Sequence, residues 1–330
     1  MSWQRSALVL FLVVVLAAPS AAQVLYGTLV GTVEDPSGGV LPGAAVAATN
    51  ALTGLKREAK TDDRGDYRFT DLPPGTYDVA VTQTGFAVFR RTGVVVPVNA
   101  VVRVNVQLRL GETTESVTVA GAAAALQADR ADVSTEIGKR ELTDLPVGGF
   151  RNYQSLFKLV PGFTPPAGAH SLAGNPGGAL VTNVNGTSYS NNNTRIDGVS
   201  ATYLWLPHIT AYVPPLESIG AVNIVSGSYD AEQGFVGGAV VSVDIKSGTN
   251  EFHGSAFEYH TNSRLRARNF FYPPGQNQAK SLVNQFGATL GGPVAKNRLF
   301  FFFSFEGMRQ RESYSRYATV ATMEQRAGNF

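Results

Sequence analysis

Residues 24–110 consist of short runs in which apolar and polar residues alternate, separated by clusters of turn-forming residues. Tyr77, Val79 and Val81 lie two positions apart, so in a β-strand all three side chains point to one face of the sheet. The same spacing recurs elsewhere in this segment, at Tyr67 and Phe69 and at Val102, Val104, Val106 and Leu108. Strands of this length, with turns such as Asp35-Pro36-Ser37-Gly38-Gly39 between them, predict an antiparallel β-sandwich of six to eight strands over residues 23–110.

The composition supports a mainly β protein, because the chain has 35 glycines and only 16% charged residues. It contains no cysteine, which excludes disulfides and thiolate metal sites. The net charge of +2 includes no basic block, so we expect no nucleic-acid partner. The four histidines lack the spacing of a zinc helix, and no serine elbow or nucleotide-binding loop is present. We therefore expect no metal, no cofactor and no catalytic residues, and hence no enzyme.

The first 22 residues have the features of a signal peptide. Arg5 provides a positive start, the apolar stretch runs from Ala7 to Leu16, and Ser20 and Ala22 are small residues at the cleavage site. This stretch is shorter than the about 20 apolar residues that a membrane-spanning helix needs. We expect cleavage before Gln23 and export of the mature protein.

The segment 23–110 contains the sequences GTVEDPSGGVLPGAAVAATN and TDDRGDYRFTDLPPGTYDV. In order and spacing they resemble the carboxypeptidase-regulatory-like domain, which has a transthyretin-type β-sandwich. That family includes members similar to starch-binding modules, so the resemblance implies carbohydrate binding as one role for this domain.

Residues 111–125 form a linker that contains one short alternating run, ESVTVAG. An extended β-branched segment between flexible flanks can add as a strand to the open sheet edge of a partner. The run resembles the TonB box of outer-membrane transporters, which implies a TonB-type energy-coupling protein as a partner. The alternative is a plain linker strand. The predicted partner-binding residues are Glu115, Ser116, Val117, Thr118, Val119, Ala120 and Gly121.

Residues 126–248 mix short helical and strand patterns. Residues 141–146 predict a helical turn stopped by Pro146, and residues 151–160 have apolar side chains at helical spacing before Pro161. The order of the motifs LVPG, RIDGV, LESI and GFVGGAVVSVDIKSGTN resembles the plug domain of TonB-dependent receptors, a mixed α/β domain that closes a barrel from inside.

Three consecutive asparagines, Asn191, Asn192 and Asn193, fall in this segment. Exposed polar residues in a loop are candidates for contact with an extracellular substrate, because loops carry binding residues on a rigid scaffold. The alternative is that these residues only solvate a turn. The substrate itself is not identified by the sequence; a carbohydrate and a peptide are both compatible with it.

Residues 249–330 alternate in longer runs. Phe286, Ala288 and Leu290 share one face of one run, and the next run has Leu299, Phe301, Phe303 and Phe305 on one face. Runs of about ten residues with one apolar face are typical of strands that face lipid. Together with NEFHGSAFEYHTNSRLRARNFF they resemble the opening strands of the barrel in the Oar-like branch of TonB-dependent receptors, which also carries the N-terminal sandwich. About three strands fit before Phe330, whereas plugged barrels need about 22, so we expect an incomplete transmembrane β-barrel.

These patterns and resemblances predict the N-terminal part of a TonB-dependent outer-membrane transporter. It would be located in the outer membrane of a Gram-negative cell, in contact with its lipid, with the N-terminal domain in the periplasm. The expected fold is mainly β: a β-sandwich, a mixed α/β plug and the first barrel strands. The alternative function is an exported carbohydrate-binding or adhesion protein that uses the sandwich.

Overall fold

The computed structural model describes residues 26–111, 116–120, 131–147, 150–168, 175, 178–229, 233–234, 236–267, 270, 279–313 and 319–329. The predicted signal peptide therefore lies outside the described residues. The chain divides into two compact units. The first runs up to His253 and includes Gly291–Phe302, and the second contains Gly254–Leu290 and the residues after Phe302. The prediction of a mainly β fold is confirmed by the strands in both units.

The N-terminal sandwich contains eight strands. They are β1 (Gly27–Glu34), β2 (Ala45–Asn50), β3 (Lys56–Lys60), β4 (Asp66–Leu72), β5 (Gly75–Thr82), β6 (Val88–Val96), β7 (Val101–Arg103) and β8 (Val106–Gln107). In one sheet β1 lies between β4 and β7 and also pairs with β8, and in the other the order is β3-β2-β5-β6. The ninth strand, β9 (Ser116–Ala120), follows β6 at the end of the second sheet.

The apolar faces predicted from the alternation form the core of the sandwich. All nine of the residues named above are buried in one cluster: Tyr67, Phe69, Tyr77, Val79, Val81, Val102, Val104, Val106 and Leu108. The two tyrosines keep their hydroxyl groups satisfied, because Tyr67 Oη donates to Val104 O at 2.7 Å and Tyr77 Oη donates to Pro73 O at 2.6 Å. Full burial of each aliphatic side chain contributes about 1.5–3 kcal/mol before the entropy of folding is subtracted.

The prediction of a purely antiparallel sandwich is wrong for β7 and β8, which both run parallel to β1. Gly31 makes this pairing possible. A Cβ atom on that residue would lie 1.9 Å from Val104 O, so only glycine lets the backbone at Val104 approach β1. Val104 N then donates to Val30 O at 2.8 Å. The alternation predicted which residues are buried, but strand direction depended on a close backbone contact between distant residues.

A second sheet forms the centre of the segment predicted as the plug. The elements of this segment are β10 (Val133–Ile137), α1 (Lys139–Asp144), β11 (Ala167–Gly168), β12 (Leu180–Val181), β13 (Asn193–Ile196), β14 (Val199–Ser200), β15 (Ile219–Gly227) and β16 (Val240–Ile245). The sheet order is β10-β15-β16-β13-β14, and β13 runs parallel to β16. The strands β15 and β16 bury Val222, Ile224, Val241 and Val243, so this pair is the centre of the core.

The two helical segments predicted in the plug are present. The first is α1, which stops before Pro146 and buries Leu142. The second is a 3-10 helix, Tyr153–Leu159, rather than an α-helix. Its predicted apolar face is buried against the plug sheet and consists of Tyr153, Leu156, Phe157 and Val160. Two shorter 3-10 helices are Tyr189–Asn191 and Leu216–Ser218.

The last part of the chain forms a three-stranded sheet, in the order β17 (His253–Asn262), β18 (Ser281–Ala295) and β19 (Leu299–Glu312), followed by the short α2 (Met323–Arg326). A 3-10 turn, Ser263–Leu265, follows β17. None of the helices in the part of the chain that the structure describes is long and apolar enough to cross a membrane.

At several positions of β18 and β19 the usual distribution of polarity is inverted. Gln285 and Thr289 are 4% and 7% exposed, whereas Leu290, Phe303 and Phe305 are 48%, 59% and 52% exposed. A water-soluble sheet buries its apolar face, and a sheet whose outer face meets lipid does the reverse. The predicted lipid-facing pattern of β18 and β19 is therefore present in the structure.

Candidate functional site

The predicted TonB box is held as a strand. Its residues Ser116–Ala120 form β9, which pairs in parallel with β6, from Val88 opposite Ser116 to Thr92 opposite Ala120. The first and last residues of the predicted box, Glu115 and Gly121, lie outside the described residues. The extended conformation expected for strand addition is present in the other five, and it is already part of a sheet.

The backbone just before β9 is fastened to the same edge of the sandwich. Ala87 N donates to Arg109 O at 2.9 Å, and Leu110 forms a bridge with Phe86. Farther along β6, Gly93 has a φ of 76° and its N–H donates to Asp78 Oδ1 at 3.2 Å. The pairing with β9 ends one residue before this irregularity, so β9 follows only the regular half of β6.

The three asparagines differ in exposure. Asn191 is exposed, Asn192 is partly buried and Asn193 is buried in β13, so the prediction that all three lie exposed in a loop is wrong for Asn193. The parallel pairing of β13 with β16 draws Asn193 into the sheet, where its Oδ1 accepts from Ser200 Oγ at 3.0 Å.

Asn192 acts as a backbone clamp. Its Nδ2 donates to Thr182 O at 2.8 Å, and its Oδ1 accepts from Ala239 N at 3.0 Å. A Cβ atom on Gly238 would lie 2.3 Å from Asn192 Oδ1, so glycine is needed there for the clamp to close. Asn191 is the one member of the triplet that is exposed.

A small polar cavity lies beneath this loop. Its volume is about 30 Å³, enough for one or two water molecules. Polar and apolar side chains line it, among them Gln154, Thr182, Thr210, Phe157 and Ile209. Gln154 Oε1 accepts from Leu180 N at 2.8 Å, and its Nε2 lies 3.4 Å from Thr210 Oγ1. These contacts join the 3-10 helix of the plug to β12 and to the loop that contains Thr210.

An apolar loop beside the cavity was not identified from the sequence. A bridge between Thr202 and Thr210 closes it, and at its tip Leu204 and Trp205 are both 86% exposed. The ring of His208 contacts that of Tyr189, with centroids 5.6 Å apart, so this loop and the asparagine loop lie together. The signal in the sequence was YLWLP, an apolar run without alternation between turn-forming residues.

The motifs RIDGV and LESI place charged groups at one end of the plug sheet. Asp197 and Gly198 both have positive φ and form the two-residue turn between β13 and β14. Asp197 Oδ1 accepts from Ile245 N at 2.9 Å. Burial, and secondarily the charge of Asp197, raises the pKa of Asp244 to about 7. These two carboxyl groups therefore repel each other when both are ionised.

An ion pair lies in the same region. Arg151 Nη2 is 2.7 Å from Glu217 Oε1, and both side chains are largely buried. Lys246 Nζ donates to Glu217 O at 2.7 Å, and burial lowers the pKa of Lys246.

Among the residues that the structure describes, no group of three or more His, Asp or Glu side chains could hold a metal ion.

Comparison with known proteins agrees with this arrangement. Residues 28–109 match the carboxypeptidase regulatory-like domain, and residues 244–330 match the outer membrane beta barrel domain. The TonB-dependent transporter Oar of Myxococcus xanthus is 30% identical in an alignment of 328 residues that covers 92% of this chain. The resemblance to Oar-type TonB-dependent receptors is confirmed. The chain spans 29% of the length of that Oar protein.

The barrel match also confirms the predicted outer-membrane location. The Oar relative is a transporter. Among solved structures, the siderophore receptor PirA of Acinetobacter baumannii is 23% identical, with a TM-score of 0.36 over 54% of this chain and 24% of PirA. The ferric enterobactin receptor PfeA of Pseudomonas aeruginosa is 17% identical, with a TM-score of 0.34 over 49% of this chain and 22% of PfeA. Similarities this low establish nothing about cargo.

Proposed function

We propose that this chain is the coupling and gating part of an outer-membrane transporter. A TonB-type protein binds the strand Ser116–Ala120, which we call the coupling strand. The domain built on β15 and β16 acts as the plug. The observation that carries the proposal is the order of four parts along one chain: sandwich, strand, plug sheet and lipid-facing hairpins. The similarity to Oar over 92% of the chain supports the same order.

Strand addition explains how so short a segment can transmit force. Backbone hydrogen bonds along an extended segment hold it to a partner sheet edge regardless of most side chains. The covalent chain continues from β9 towards β10, the edge strand of the plug sheet beside β15. A pulling force applied to the coupling strand therefore reaches the edge strand β10 before it reaches the central strands β15 and β16.

The substrate-facing surface is proposed to comprise Asn191 and the tip at Leu204 and Trp205. An exposed aromatic ring beside neutral amide and hydroxyl groups suits a cargo with both apolar and polar faces, such as a carbohydrate or a peptide. The hydrogen bonds of Gln154 in the cavity beneath hold this surface in place. In a transporter these residues contact cargo before the plug moves.

The test uses Val117→Pro, because proline removes a backbone donor and fixes φ in the proposed coupling strand. The cargo probe is first found as the compound that wild-type cells take from the medium and gene-deleted cells do not. Val117→Pro should then abolish its uptake, whereas Val117→Ala, which keeps the backbone donor, should retain most of it. Normal uptake by Val117→Pro at normal surface abundance would refute the assignment of the coupling strand.

A further inference from the structure

The position of β9 in its sheet has a consequence for how a partner reaches it. In the described part of the chain, the second sheet of the sandwich runs β3-β2-β5-β6-β9, so β9 is its terminal strand. Alternate backbone groups of a strand point to opposite edges. Pairing with β6 uses one edge of β9, and the N–H and C=O groups of the other edge point away from the sandwich.

A terminal strand with an open edge is a template for adding another strand. The sandwich also fixes where that template begins, because Arg109 and Leu110 are bonded to Ala87 and Phe86 only six residues before β9 starts. The coupling strand is thus extended and in register before any partner arrives. A flexible segment would have to be ordered during binding, which lowers affinity.

We propose that the sandwich acts as a splint, by which we mean a rigid support that keeps the coupling strand extended. The TonB-type partner then adds to the outer edge of β9 while the β6–β9 pairing stays intact. The complex would then be one continuous sheet, β3-β2-β5-β6-β9 followed by the partner's edge strand. This inference rests on the proposed function, since it assumes that Ser116–Ala120 is the segment that the partner binds. It gives the N-terminal sandwich a mechanical role in place of, or beside, ligand binding.

A reversible cross-link between β6 and β9 tests the proposal. Arg90 and Thr118 are partners in the register, and neighbouring strands lie about 4.8 Å apart, within the Cα spacing that a disulfide spans. Residues 1–330 contain no cysteine, so within them the double variant Arg90→Cys/Thr118→Cys can form only one disulfide bond. The full protein is purified in detergent, and the periplasmic domain of the cell's TonB-type protein is titrated onto its oxidised and reduced forms.

We expect the oxidised form to bind the partner domain with a Kd within about twofold of the reduced form, or lower. A loss of tenfold or more on oxidation, reversed by reductant, would overturn the splint and show that the strand must leave β6 to be bound. Absence of binding by the wild-type protein would instead reject the coupling strand itself, and the splint with it. The two failures are thereby distinguished.

Two controls separate the effect of the cross-link from side effects of the substitutions. Ala47→Cys/Glu58→Cys joins β2 to β3, which are registered partners in the same sheet but distant from β9, and its oxidation should leave the Kd unchanged. The reduced form of the Arg90→Cys/Thr118→Cys variant carries the same substitutions as the oxidised form and is the second control. An independent cross-link between Val88→Cys and Ser116→Cys, the first pair in the register, should give the same ratio of oxidised to reduced Kd.

Discussion

Asp244 makes the stability of the plug depend on pH. Burial and the neighbouring Asp197 raise its pKa to about 7, whereas in an unfolded chain an aspartate has a pKa near about 3.9. At pH values between these two pKa values, Asp244 is therefore more fully protonated in the folded state than in the unfolded state. The contribution of Asp244 to stability is fully present below about pH 4 and is lost as pH rises through 7.

Asp244→Asn should remove this dependence. At pH 8 the variant should be more stable than wild type by about 1–2 kcal/mol, after allowance for the partial exposure of the carboxyl group, and at pH 4 the two should be equal. Thermal unfolding at both pH values measures the difference. Asp63→Asn, in an exposed turn, is the control and should match wild type throughout; an equal gain at both pH values would contradict the explanation.

The ion pair of Arg151 with Glu217 should contribute more to stability than an exposed pair in the same domain. Arg151→Met leaves the Glu217 carboxylate largely buried without this partner, which should cost about 1–3 kcal/mol. Arg140→Met breaks a pair with Asp144 that is largely exposed, and should change stability by less than about 0.5 kcal/mol. Denaturant titration of both variants makes the comparison, and equal effects would show that burial of the pair is unimportant.

At the scale of elements, much of the secondary structure could be predicted from the sequence. An element that is buried on one side has apolar residues at regular intervals, and the interval differs between strands and helices. The period of two located the faces of β4, β5 and β19, and the spacing of Tyr153 to Val160 located a helix. The pairing of β9 with β6 left no such trace. It depends on which sheet edge is open after the sandwich has formed, and that is a property of the folded domain.

The candidate site was predicted in part for the same reason. The residues of the proposed coupling strand were predicted from a local pattern, and their extended conformation agrees with that pattern. Asn193 was misplaced because its burial results from pairing with β16, which lies more than forty residues away. Trp205 was missed because an exposed aromatic residue in an apolar run has the same local signature as a core strand.

The inverted polarity of β18 gives a prediction about the element as a whole. Leu290 faces outward, so Leu290→Arg should cost up to about 2–4 kcal/mol if the residue lies at the middle of the membrane, and less near its surface. Heat-modifiable mobility of outer-membrane extracts measures the folded fraction, which should fall. Leu290→Phe keeps an apolar side chain and should fold normally; normal folding of the arginine variant would show that this face does not meet lipid.

At the scale of the molecule, one compact unit contains the sandwich, the plug and the residues that lead into β17. Two hydrogen bonds between described residues join the sandwich to these other two parts. Asn223 Nδ2, in β15, donates to Val98 O at 2.7 Å, and both residues are buried. Asn250 N donates to Leu52 O at 3.0 Å. A splint that holds the coupling strand is useful only if it is itself fixed relative to the plug, and these contacts supply that connection.

The contact at Asn223 should therefore control how tightly the sandwich is docked. Asn223→Ala removes a buried hydrogen bond worth about 1–2 kcal/mol, so amide exchange in the loop of residues 97–100 should accelerate by about 5- to 30-fold, while the core strands of the sandwich exchange as before. Ser226→Ala, in the same strand, removes only an exposed contact with Val133 O and should leave the loop unchanged. Hydrogen exchange followed by mass spectrometry resolves the two regions. If the loop of Asn223→Ala stays protected, other contacts dock the sandwich, and the coupling strand is anchored to the plug by a different route.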